Sequence, residues 1–86
     1  MYKNKNYDGT LNICGNKIKM LRKNLTPTVS QRAFADKLQL AGLDVDKNAI
    51  QKIESGKRFV TDIELKAIAK VLNTTVDFLL DINVIE

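Results

Sequence analysis

The sequence predicts an all-α fold, a bundle of five short helices. Three observations carry this. Apolar residues recur at spacings of three and four, the period of a helix with one buried face. Ser30, Asp46, Thr61 and Thr75 stand just before periodic stretches, where a side-chain oxygen can accept from a first-turn N–H. Gly42, Gly56 and Asn73 stand just after such stretches, where the chain leaves a helix through the left-handed conformation. With 86 residues there is room for one small domain.

Residues 1–11 show no helical period. Lys3, Lys5, Tyr2 and Tyr7 lie there among asparagines and a glycine, so this segment is expected to be a mobile or extended N-terminal arm. The folded domain is expected over residues 12–81. Helix 1 should span residues 12–24, with Ile13, Ile18 and Leu21 inward, joined by Cys14 and Leu25. Lys17, Lys19 and Lys23 stay outside. Residues 25–29 should form a loop, because Pro27 stops a helix and pushes Thr26 toward extended geometry.

Helix 2 should begin after Ser30, with Phe34, Ala35 and Leu38 inward, and stop at Gly42. Helix 3 should begin after Asp46 and stop at Gly56. Only Ala49, Ile50 and Ile53 can anchor its inner face. Helix 4 opens with Thr61-Asp62-Ile63-Glu64, a capping box in which Thr61 caps forward and Glu64 caps back. Ile63, Ala67, Ile68, Val71 and Leu72 are its expected core face. Thr75 should cap a short helix 5 that runs to Leu80, with Val76, Leu79 and one of Phe78 or Leu80 inward. Residues 82–86 form an apolar tail containing Ile82, Val84 and Ile85, expected to cover the core or meet a second subunit.

The net charge of +4 conceals an asymmetry. Residues 1–60 hold twelve Lys or Arg against five Asp or Glu, net +7, whereas residues 61–86 hold two against five, net −3. The basic part coincides with helices 2 and 3 and the loop after them, the electrostatic footprint of a nucleic-acid binder. Lys47, Asn48, Gln51 and Lys52 are left on the outer face of helix 3. They are long donors and amides, the types that read base edges in a major groove. A solvated helix face has the same composition. The short helix before it and Lys57-Arg58 after it frame this face with cations and favour groove recognition.

Much chemistry is excluded. There is no histidine and one cysteine, so neither a zinc site nor a Cys/His nucleophile pair can be assembled. Cys14 can form no disulfide within the chain and should pack as a small apolar residue. The four glycines are scattered and form no phosphate loop. The acidic residues lack calcium-loop spacing. No metal, cofactor or enzymatic activity is expected. No apolar run reaches membrane-spanning length and residues 1–10 do not look like a signal peptide, so a cytoplasmic protein is expected.

The ordered motifs resemble the DNA-binding helix-turn-helix family of phage repressors and Cro-like proteins, the XRE-type transcriptional regulators. They are Gly15-x-x-Ile18-x-x-Leu21-Arg22, then Ser30-Gln31-x-x-Phe34-Ala35, then Ile50-x-x-Ile53-Glu54-x-Gly56-Lys57. The pattern continues through Leu65-x-x-Ile68-Ala69-x-x-Leu72 and Val76-Asp77-Phe78-Leu79-Leu80. It covers residues 13–80, nearly all of the chain. Two connections, at residues 25–29 and 39–45, are longer than the family's usual spacing. An extra turn on helix 2 and a wider turn would absorb the second.

The resemblance implies a lambda-repressor-like fold whose third helix enters the major groove of double-stranded DNA. It implies a structural ion pair between Arg22 and Glu54, locking helix 1 to helix 3. Base readout then falls to Lys47, Asn48, Gln51 and Lys52, and backbone contact to Lys17, Gln31, Lys57 and Arg58. The N-terminal segment is either a mobile tail or a basic arm that lies along DNA, and nothing in its sequence distinguishes the two. The implied function is a sequence-specific transcriptional regulator, a repressor acting as a homodimer on an operator. The alternatives are an antitoxin that represses its own operon and binds a toxin, and an interaction module without DNA binding. A protein partner, toxin or antirepressor, fits the first of these.

Overall fold

The computed structural model describes residues 9–80. Five helices follow in order: α1 (Gly15–Lys23), α2 (Gln31–Leu40), α3 (Lys47–Glu54), α4 (Asp62–Val71) and α5 (Val76–Leu80). α3 packs on α2 and α1, and α4 packs on α2 and α5. The fully buried side chains where they meet include Phe34, Ile18, Leu38, Ile50, Ile53, Ile68 and Leu79. Cys14 is buried with them, and burial pushes its thiol pKa up, as befits an inert packing group. Residues 1–8 of the expected arm at 1–11, and the whole expected tail at 82–86, lie outside the described residues.

The helix ends follow the cap residues. Ser30 Oγ accepts from the Ala33 N–H at 3.0 Å, and Asp46 Oδ1 from the Ala49 N–H at 2.8 Å. At α4 both halves of the capping box form: Thr61 Oγ1 accepts from Glu64 N–H, and Glu64 Oε1 from Thr61 N–H. Thr75 Oγ1 accepts from Phe78 N–H and starts α5. Three helices stop the same way. The N–H groups of Leu43, Lys57 and Thr74 reach back to the carbonyls of Leu38, Lys52 and Ala69. Each closure passes through one left-handed residue: Gly42, Gly56 and Asn73, with φ of 93°, 76° and 57°.

Two expectations are corrected, and the open choice on α5 is settled. α1 begins at Gly15, three residues late, because Asn12 turns its side chain onto the backbone instead of entering the helix. Its Oδ1 accepts from Gly15 N–H at 2.8 Å, and its Nδ2 donates to the carbonyls of Ile53 and Arg58 at 3.0 and 2.8 Å. Ile13 therefore lies outside the helix and is 53% exposed. On α4, Ile63 is 74% exposed, and the core face is Leu65, Ile68, Ala69 and Leu72. At about 100° per residue, Ile63 points away from Leu65. On α5, Leu80 packs against the core while Phe78 stays 44% exposed.

The long connection between α2 and α3 follows an α2 that ends at Leu40 and runs through a turn over residues 41–46. Two contacts unseen in the sequence fix this turn. The Val45 side chain is buried, and Gln39 Nε2 donates to the Val45 carbonyl at 2.7 Å. The start of α3 is thereby tied to the end of α2.

Candidate nucleic-acid interface

α3 divides cleanly into two faces. Ile50 and Ile53 are fully buried, and Ala49 is half-buried. Lys47, Asn48, Gln51 and Lys52 are all exposed. The inner face needs β-branched side chains to fill the core, and the 3.6-residue period sends the others to solvent. This exposed ridge has two flanks. Lys47 shares one open concavity with Arg32, Asp36 and Gln39 of α2. Asn48 and Lys52 share another with Lys57, Arg58 and Phe59 of the following loop. The structure thus brings Asn48 and Lys52, two of the expected base readers, beside Lys57 and Arg58, two of the expected backbone contacts.

What holds this ridge in place is an ion pair. Arg22 Nε donates to Glu54 Oε2 at 2.7 Å, and Arg22 Nη2 to Glu54 Oε1 at 2.9 Å. Both residues are only 6% exposed. The third guanidinium nitrogen, Nη1, donates to the Val29 carbonyl at 2.8 Å. Arg22 therefore ties α1 to the last residue of α3 and to the loop before α2. The carboxylate sits at a helix C-terminus, where the helix dipole disfavours a negative charge. The facing arginine offsets this.

Gln31 completes the cluster. Its Nε2 donates to Glu54 Oε1 at 3.0 Å, so in the free protein its amide is turned onto α3. Arg58 is also engaged. Its Nη1 and Nη2 donate to Glu64 Oε1 and Oε2 at 3.0 and 2.8 Å, and Nη1 donates to the Phe59 carbonyl at 3.1 Å. The hydrogen bond from Arg58 holds the Glu64 carboxyl below its ordinary value, with the Thr61 N–H assisting. The same pair raises the Arg58 pKa. Lys17 lies apart from this concavity, with its Nζ 5.2 Å from the Phe78 ring centroid. Lys57 is exposed.

The described end of the N-terminal segment packs at the C-terminal end of α3. Leu11 N–H donates to the Gly56 carbonyl at 2.8 Å. A side chain on Gly56 would meet Thr10, with Cβ to Thr10 Cγ2 at 2.7 Å. The sequence reading did not single out Arg32, Asn12 or Phe59 as parts of this surface. For Asn12 a signal existed: an asparagine side chain competes with helix entry by bonding a nearby backbone N–H, as it does here with Gly15.

Residues 18–79 match the family model described as helix-turn-helix. The chain belongs to the helix-turn-helix family. Its type is that of the phage repressors and Cro-like regulators, as the motifs implied. This helix-turn-helix protein is thus a DNA-binding regulatory protein. Its fold is similar to that of the P22 c2 repressor protein, solved in complex with synthetic operator 9T in the presence of Tl+. The TM-score is 0.67 at 24% identity, covering 84% of this chain and 98% of that one. No curated protein matches the sequence. Among the described residues of the helix-turn-helix protein, no helix is long and apolar enough to cross a membrane.

Proposed function

We propose that the protein represses transcription by binding an operator in double-stranded DNA, with α3 in the major groove and α2 across the backbone. One observation carries this reading. The exposed ridge of α3 consists of Lys47, Asn48, Gln51 and Lys52, and buried contacts fix it at both ends. Val45 and Gln39 hold its start, and Arg22 holds Glu54 at its end. Base readout needs donors held in a defined register, and a solvated helix face needs no such anchoring.

Asn48 and Gln51 can pair bidentately with adenine, and Lys47 and Lys52 can donate to guanine O6 and N7. Lys57 is the backbone contact already in position. Contact through Gln31 exchanges its present carboxylate partner, Glu54, for a phosphate, and Arg58 meets a phosphate while keeping the Glu64 carboxylate it already holds. Two copies on a two-fold site, with half-sites about one helical turn apart, fit a single small reading head.

The experiment is selection of bound duplexes from a random pool, followed by titration of the selected site across salt concentrations. The expected result is one enriched half-site in inverted repeat. The affinity should fall with salt at a slope of roughly −0.9 per phosphate neutralised. An unenriched pool, or affinity independent of salt, would overturn the reading.

A further inference from the structure

The loop after α3 carries an aromatic residue left half exposed. Phe59 is 51% exposed, while its neighbour Val60 packs on the core. An exposed phenyl ring costs free energy in water, and its placement here is specific. It lines the same concavity as Asn48, Lys52 and Lys57. The backbone beneath it is fixed from two sides. Arg58 Nη1 donates to the Phe59 carbonyl at 3.1 Å while its guanidinium is held by Glu64. Asn12 Nδ2 donates to the Arg58 carbonyl at 2.8 Å. The ring is therefore presented by a pinned loop beside the ridge, in a concavity whose charged lining is Lys52, Lys57 and Arg58 with Asp46.

Cations in this lining fit a polyanion, and an apolar ring beside them fits an apolar spot on it. On the major-groove edges of a duplex, the thymine 5-methyl group is that spot, and it distinguishes thymine from every other base. We propose that Phe59 is a specificity-determining residue that reads the methyl group of one thymine per half-site, on the flank of the bases read by Asn48 and Lys52. This rests on α3 being the recognition helix. It extends readout beyond the helix, to a residue with no hydrogen-bonding group.

The test uses the full chain and its selected operator. Each thymine of one half-site is replaced in turn by deoxyuridine, which removes only the methyl group. Competition binding is then measured for wild type, Phe59→Ala and Phe59→Leu. At one thymine the wild type should lose about fourfold in affinity, the worth of one buried methyl-sized group. Phe59→Ala should show no loss at that thymine and keep any losses at the others. Phe59→Leu, still apolar, should retain the sensitivity.

Phe59→Ala that weakens methylated and unmethylated sites equally would overturn the proposal, pointing to loop positioning or a contact between protein copies. So would the absence of any thymine whose effect depends on Phe59. If the wild type enriches no operator at all, the recognition reading itself has failed. If it enriches one without a Phe59-dependent thymine, only this inference has failed.

Discussion

Arg22 and Glu54, 32 residues apart in sequence, form a two-pronged ion pair with N···O distances of 2.7 and 2.9 Å inside the domain. Breaking one side leaves the other charge buried without its counter-charge, Arg22 keeping the Val29 carbonyl and Glu54 the Gln31 amide. Glu54→Ala and Arg22→Met should each cost about 3 kcal/mol or more. For a domain of this size that lowers the melting midpoint by upward of about 10 °C. The double variant should cost less than the sum of the singles, because the second change removes the stranded charge. Thermal melts against Lys66→Ala, an exposed control, check this. A Glu54→Ala midpoint equal to the control's would contradict it.

Gly15 sits where α1 crosses the end of α3. A Cβ there would strike the Ile53 carbonyl and come within 3.2 Å of the Glu54 carbonyl. These are backbone atoms and cannot swing aside. Helix propensity alone would make Gly15→Ala stabilising by about 1 kcal/mol. Overpacking should win and make it destabilising by about 1–3 kcal/mol. The sign of the change in denaturant midpoint decides between the two.

Much of this was legible in the chain, because local chemistry decided it. Ser30, Asp46 and Thr61 have the side chains that cap helices, and each caps one. Ile50 and Ile53 are the large apolar residues on α3, so its outer face follows. What failed depended on rotation about a helix axis or on contacts distant in sequence. Ile63 and Leu65 are equally apolar; the i, i+3, i+4, i+7 run of Leu65, Ile68, Ala69 and Leu72 marks the buried face, and the expected face, which began at Ile63, missed it. Asn12 reaches Ile53 and Arg58 across more than forty residues, which no local period records. Arg58 read as an exposed cation because Glu64, six residues on, was already assigned to the cap. The carboxylate serves both.

That double role makes α4 sensitive to acid. Glu64 has a folded-state pKa held below its ordinary value of 4.5, first by Arg58. Its contribution to stability is therefore complete above that ordinary value and is lost as pH falls through the lower, folded-state value. Glu64→Gln retains the shape and carries no charge. Melts from neutral pH downward should show wild type more stable than Glu64→Gln at neutral pH. The gap should close only below about pH 4.5, as the carboxylate takes up its proton. A gap unchanged at pH 3 would exclude the ionised pair as its source.

The most direct test of base reading by α3 compares two exposed residues on one flank, Asn48 and Lys57. Affinities of wild type, Asn48→Ala and Lys57→Ala are measured by competition across every single-base variant of the selected operator. Asn48→Ala should lose about 1–3 kcal/mol of discrimination at one base-pair position of each half-site and keep the preferences elsewhere. Lys57→Ala should weaken all variants by nearly the same factor, because phosphate contacts carry no sequence information directly. If Asn48→Ala also weakens every variant by one common factor, α3 does not read bases through this face.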